Sequence, residues 1–177
     1  MESTNTDSVE KTGSRKPIVV RNGIVLSLIL MGILLTVHFF DVGYMNERIA
    51  LGNMVLLLVA IIVTQLEVRD KIFKGILPFD RAFGTAMMVV LIVTAIFSIF
   101  TLIFYLTIGK ELLGQMREIA ENSLRADGKT EEEIKESMQF TNHSFTPIGT
   151  FIMSLIGMLF FGTISALIAS LFTQRRA

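Results

Sequence analysis

Four long runs of apolar residues with almost no charge inside them constrain this chain more than any other feature: Gly23–Phe40, Ile49–Leu66, Ala82–Ile108 and Pro147–Phe172. A helix needs about 20 mostly apolar residues to cross the hydrocarbon core of a bilayer. Two runs fall just short of that length and two exceed it. The expected fold class is all-α, an integral membrane protein with four transmembrane helices and an amphipathic helical loop between the third and fourth.

Composition agrees. Half the chain is hydrophobic (51%) and the mean hydropathy is +0.61, above what a soluble domain shows. At 177 residues there is room for one domain. The organisation expected is a disordered polar tail (residues 1–22), a four-helix membrane domain (23–172) containing the soluble loop 109–145, and a basic end (173–177). A formal net charge of zero gives no global field to recruit nucleic acid. The absence of cysteine excludes disulfides, thiolate metal sites and lipid attachment through sulfur. The first run follows Arg15, Lys16 and Arg21, as in a secretory signal, but Asp41–Met45 offers no small-x-small cleavage site. It reads as an uncleaved span.

Basic residues orient the spans. Lys11, Arg15, Lys16 and Arg21 precede the first, Arg69, Lys71, Lys74 and Arg81 separate the second and third, and Arg175 and Arg176 follow the fourth. These are ten of the sixteen basic residues. The remaining six are Arg48 in the first loop and five in the third, where Asp127 and seven glutamates dilute them. Basic residues near the membrane mark the cytoplasmic side, so both termini are expected in the cytoplasm. The loop 109–145 is then extracytoplasmic.

That loop has a design of its own. From Lys110 to Arg125, Leu112, Leu113, Met116, Ile119, Ala120 and Leu124 recur at helical spacing against a face of Glu111, Gln115, Glu118, Glu121, Asn122 and Arg125. Asp127-Gly128 stops this helix. Thr130-Glu131-Glu132-Glu133 reads as a capping box opening a second short helix to about Phe140. Thr146-Pro147 caps and starts the last span. The face Leu112, Met116, Ile119 and Leu124 needs a cover, which can be the membrane interface, the second helix through Ile134 and Met138, or a partner protein.

Within lipid, helices associate through small residues and hydrogen bonds. Gly162, Ala166 and Ser170 repeat every fourth residue, with Ser165 and Ala169 beside them. Thr94, Ser98, Thr101 and Tyr105 fall within about 60° of one another on the third span, and Asn53, Ala60 and Thr64 align on the second. These stripes are expected to pack helices; the functional alternative is a polar substrate path.

No ionisable residue lies deep in a span, where it would point to function. His38 and Asp41 sit at the outer end of the first span and Glu67 at the inner end of the second. With His143, the first two define a metal or proton site as the alternative to ordinary interfacial residues, yet a zinc site wants three or four ligands and the chain has two histidines. No phosphate-binding, dinucleotide, Gly-x-Ser-x-Gly or His-Glu-x-x-His motif is present. No cofactor is implied. Gly75, Pro78 and Gly84 read as turn residues. The basic loop Arg69–Arg81 has a topological role, with contact to anionic headgroups as the alternative.

The segment Leu77-Pro78-Phe79-Asp80-Arg81-Ala82-Phe83-Gly84, the span ending Phe104-Tyr105-Leu106, the acidic loop with Gly128-Lys129-Thr130-Glu131-Glu132-Glu133-Ile134, and Phe145-Thr146-Pro147 leading to Phe161-Gly162-Thr163-Ile164 form a pattern. It resembles the bacterial membrane-protein family catalogued as domain of unknown function 4199. The resemblance implies a small four-span protein of the bacterial cytoplasmic membrane and supplies no activity and no site residues. Beside the lipid bilayer, the expected partner is another membrane protein or a second copy. The leading expectation is a non-enzymatic accessory protein acting through its outer loop. The alternative is a small transporter or channel component, with a membrane-embedded enzyme third.

Overall fold

The structure, a computed structural model, describes residues 14–40 and 47–175. Among these residues there are six helices: α1 (Lys16–Phe39), α2 (Glu47–Lys71), α3 (Phe79–Leu106), α4 (Lys110–Ala126), α5 (Glu131–Thr141) and α6 (Pro147–Thr173). Four of them, α1, α2, α3 and α6, are long and apolar enough to cross a membrane. They coincide with the four apolar runs, and the fold is all-α.

The helix limits follow local chemistry, with two departures from expectation. Residues 16–22, expected in a disordered tail, are the first turns of α1. Pro17 lies in the first turn, where a missing N–H leaves no bond unmade, and the side chains of Arg21 and Asn22 are held by α2. Gly84, expected as a turn residue, lies inside α3. A Cβ there would stand 3.6 Å from the Arg15 guanidinium nitrogens, an ordinary contact distance, so the guanidinium packs directly over this turn of α3. Gly75 does turn the chain, at φ +92°. The expected caps are present. The Thr146 hydroxyl accepts from the Gly149 N–H at 2.9 Å, and Thr130 with Glu133 forms a capping box.

The long helices form a bundle in which α3 and α6 share the most extensive contact, followed by α1 with α3 and α2 with α6. Gly162 makes the α3–α6 contact close, since a Cβ on it would stand 2.5 Å from Cγ1 of Val90. Gly23 does the same between α1 and α3, where a Cβ would meet Ile92 at 2.9 Å. Leu26, Leu30, Leu57, Ile61, Val89, Val93, Ala166 and Ala169 fill the core. The outward faces expose Leu28, Val59, Leu91, Ile99, Phe160 and Phe172, which suits hydrocarbon and not water. One end of the bundle carries the described termini and the α2–α3 turn; the other carries the hairpin α4–α5.

Candidate functional site

At the end with the termini, three polar groups tie the helices together. Gln65 of α2 is wholly buried. Its Nε2 donates to the Ala82 carbonyl at 3.0 Å and to Ser170 Oγ at 2.8 Å, and its Oε1 accepts from Thr173 Oγ1 at 2.9 Å. One carboxamide thus joins α2, α3 and α6. Glu67, one turn short of the helix end, receives Arg21 Nη2 on both oxygens at 2.7 and 2.6 Å, Lys71 Nζ at 2.7 Å and Asn22 Nδ2 at 3.1 Å. Asn22 also donates to Thr64 Oγ1 at 3.2 Å. Arg15 Nη1 reaches α3, donating to the Arg81 carbonyl at 3.2 Å and to Thr85 Oγ1 at 3.1 Å. Beyond the helices, Leu77 and Arg175 exchange backbone hydrogen bonds of 3.1 and 2.9 Å, pinning the last described residue to the α2–α3 turn. Sequence reasoning missed Gln65 and Arg15 as tie points. The signal for Gln65 was a carboxamide one residue inside the end of an apolar run.

The small-residue stripe Gly162, Ser165, Ala166, Ala169 and Ser170 is buried on α6. On α3, Thr94, Ser98 and Thr101 are 3%, 0% and 4% exposed. Ser154 of α6 donates to Ser98 at 3.0 Å, and Thr101 donates to the Phe97 carbonyl one turn back at 2.8 Å. Thr94 Oγ1 is buried with no hydrogen-bond partner among the described residues. Tyr105 donates to Met116 Sδ at 3.9 Å. On α2, Thr64 is buried, whereas Asn53 is half-buried and lines a cavity of about 130 Å³ with Leu57, Phe97 and Gly157.

The apolar face of α4 has a cover that sequence reasoning did not weigh. Leu112 and Leu113 are buried with Phe104 and Tyr105 of α3, and Leu34, Leu35, Phe100 and Met116 pack around them. The bundle itself therefore takes the first half of the face. Farther along, Leu124 is half-buried and Ile119 is 43% exposed. Ile134 and Met138 of α5 are buried, and α5 contacts α4. Arg125 bridges the two helices, 2.9 Å from Glu121 and 3.3 Å from Glu131. The Thr130 N–H and hydroxyl both donate to the Glu133 carboxylate, at 2.9 and 3.1 Å, and hold its pKa below the ordinary glutamate value.

The residues of the alternative metal or proton site stand as follows. His38 meets Phe104 edge to face at 5.3 Å, His143 is exposed, and Asp41 lies outside the described residues. Among the described residues, no three His, Asp or Glu side chains cluster as metal ligands would.

No curated protein and no solved structure matches the chain. Residues 21–175, nearly all of the described bundle and hairpin, match the family model described as "Protein of unknown function (DUF4199)". That span takes in all four membrane-length helices, the Gln65 node and the α4–α5 hairpin, and the chain belongs to the DUF4199 family.

Proposed function

We propose that this protein is a non-enzymatic, multi-pass component of the bacterial cytoplasmic membrane, with both termini cytoplasmic and the α4–α5 hairpin outside. Its role is accessory: it offers the hairpin to a membrane-protein partner or to a second copy of itself. The observation that carries this reading is the anchoring of α4. Leu112 and Leu113 fix the hairpin to the bundle, so its outer surface is presented in one orientation. That surface combines exposed Ile119 with the charged side chains of Glu111 and Glu118. A pre-ordered apolar anchor with a polar rim is how contact surfaces are built.

The rival reading, a small transporter or channel component, needs a polar path. Thr94, Ser98 and Thr101 were its candidates, and their burial in helix contacts supports packing instead. An enzyme would want reactive acids or bases near the bilayer. Glu67, near the end of α2, has its carboxylate occupied by Arg21, Asn22 and Lys71.

One pair of measurements tests the proposal. Single cysteines at Ser14, Lys129 and Gln174 are exposed to an impermeant maleimide in intact cells; Lys129 should label and the other two should not. Ile119→Asp is then compared with wild type in mild detergent by quantitative mass spectrometry and by size. A stoichiometric partner or dimer lost in the variant, with an unchanged melting curve, is expected. Labelling at Ser14 or Gln174 but not Lys129 overturns the orientation. A monomer without a partner, carrying solute flux in proteoliposomes, overturns the accessory role in favour of transport.

A further inference from the structure

Between the start of α1, the end of α2 and the start of α3 lies a cavity of about 530 Å³. Among the described residues, Arg15, Lys16 and Arg81 line it, against a single carboxylate, Asp80. Neither Lys16 nor Arg81 is in an ion pair with another described residue; the Arg81 guanidinium lies 5.2 Å over the Phe73 ring. Arg15 Nη1 donates to Thr85 Oγ1 and the Arg81 carbonyl, which holds the guanidinium, while Nε and Nη2 have no partner among the described residues. The cavity thus carries two more positive than negative side chains, one of them held in place. The starts of α1 and α3, whose N–H ends are positive, add to that field.

Apart from Ser14 at the mouth, the other lining residues are apolar. Ile72 and Phe73 line the cavity, and Met88 lies two turns along α3 from Arg81, about 10 Å deeper into the bundle. A polar, cationic mouth above an apolar floor, set at the end of membrane-length helices, matches an amphiphile whose anion stays at the interface. Guanidinium groups bind phosphate oxygens through charge-assisted hydrogen bonds, and basic pockets between membrane helices take anionic headgroups.

We propose that this cavity binds a phosphate group, and that its occupant is the headgroup of an anionic phospholipid such as phosphatidylglycerol. The site lies at the opposite end of the bundle from the hairpin, so it stands or falls independently of the accessory role.

The test uses the full-length protein in detergent, read by native mass spectrometry, with phosphatidylglycerol, phosphatidylcholine or inorganic phosphate as the added probe. The double variant Lys16→Gln, Arg81→Gln keeps Arg15 and its helix contacts; Lys129→Gln, on the hairpin, is the control. Retention of phosphatidylglycerol should fall about fivefold for each cation removed and on the order of 25-fold for the pair. Phosphatidylcholine should be retained less than phosphatidylglycerol by wild type, and Lys129→Gln should match wild type. If inorganic phosphate binds wild type and not the double variant while phosphatidylglycerol is retained no better than phosphatidylcholine, the phosphate site stands, free phosphate is its source and the lipid occupant is overturned. Equal retention of both lipids by wild type and double variant, or loss to the same degree in Lys129→Gln, overturns the proposal. Circular dichroism on the double variant confirms that any loss comes from a folded protein. Should it unfold, Lys16→Gln alone, an exposed position, must still show the fivefold loss.

Discussion

At the end of the bundle that carries the described termini, α2, α3 and α6 are joined through the buried carboxamide of Gln65. At the hairpin end the joint is Phe104, Tyr105, Leu112 and Leu113, packed on Leu34, Leu35 and Phe100. The difference follows from the solvent each joint has to beat. Between helices in hydrocarbon, apolar side chains find equivalent contacts in the lipid, so close packing and hydrogen bonds are what favour association. Beyond the hydrocarbon, α4 carries Glu111, Arg117, Glu118 and Glu121 to water, and burying Leu112 and Leu113 removes apolar area from water. One chain thus uses two binding logics, divided by depth.

Removing the most deeply buried ring of the hairpin joint should show this most clearly. Phe104 is 2% exposed and contacts His38, Phe100 and Tyr105, and a Cβ on Gly109 would strike its ring. Phe104→Ala is expected to cost about 3 to 5 kcal/mol, measured by unfolding in mixed micelles, with new protease cleavage confined to α4 and α5. Cleavage elsewhere first would mean that the hairpin is not what this ring holds.

Next in size is the packing of the middle. Gly162→Leu drives a side chain into Val90 and should cost about 1 to 3 kcal/mol. Gly157→Leu, on the same helix, has open space around its Cβ position and lines the small cavity; it should be neutral or stabilising. Equal costs would remove the contact role from Gly162. Gln65→Leu should lose less, about 1 kcal/mol, because Ser170 and Thr173 keep their bonds to the Ala166 and Ala169 carbonyls. If it costs as much as Phe104→Ala, the division by depth fails.

What was legible in the sequence was local. The four long helices are continuous apolar runs, and the Thr130–Glu133 and Thr146–Gly149 caps are bonds three residues long. What was not legible joins distant positions. Gln65 meets partners 17, 105 and 108 residues away, and nothing near it distinguishes a three-way tie from a headgroup contact. Arg15 read as part of a polar tail because its partner Thr85 is 70 residues on. The α4 face showed its need for a cover, but only the fold revealed that α3 and α1 supply half of it.

The smallest effect lies in the capping box of α5, where the water-side logic meets charge. Glu133 has an ordinary pKa of 4.5, and in the fold the Thr130 N–H and hydroxyl favour its ionised form and lower that value. Between the lowered and the ordinary pKa, the folded state binds fewer protons than the unfolded one. The cap is therefore fully stabilising above the ordinary value and is lost as pH falls through the lowered one. Exposed Glu131 and Glu132 also sit in the first turn of this helix, so wild type alone cannot isolate the cap. Glu133→Gln keeps an acceptor for the Thr130 N–H and removes the titrating charge. Hydrogen exchange across residues 131–141 should therefore rise more steeply in wild type than in Glu133→Gln as pH is lowered from 6 toward 3, after correction for the intrinsic rate. The α6 backbone, which this box does not touch, should show no such difference. Superimposable profiles for the two proteins would mean that the box is closed by geometry and not by charge.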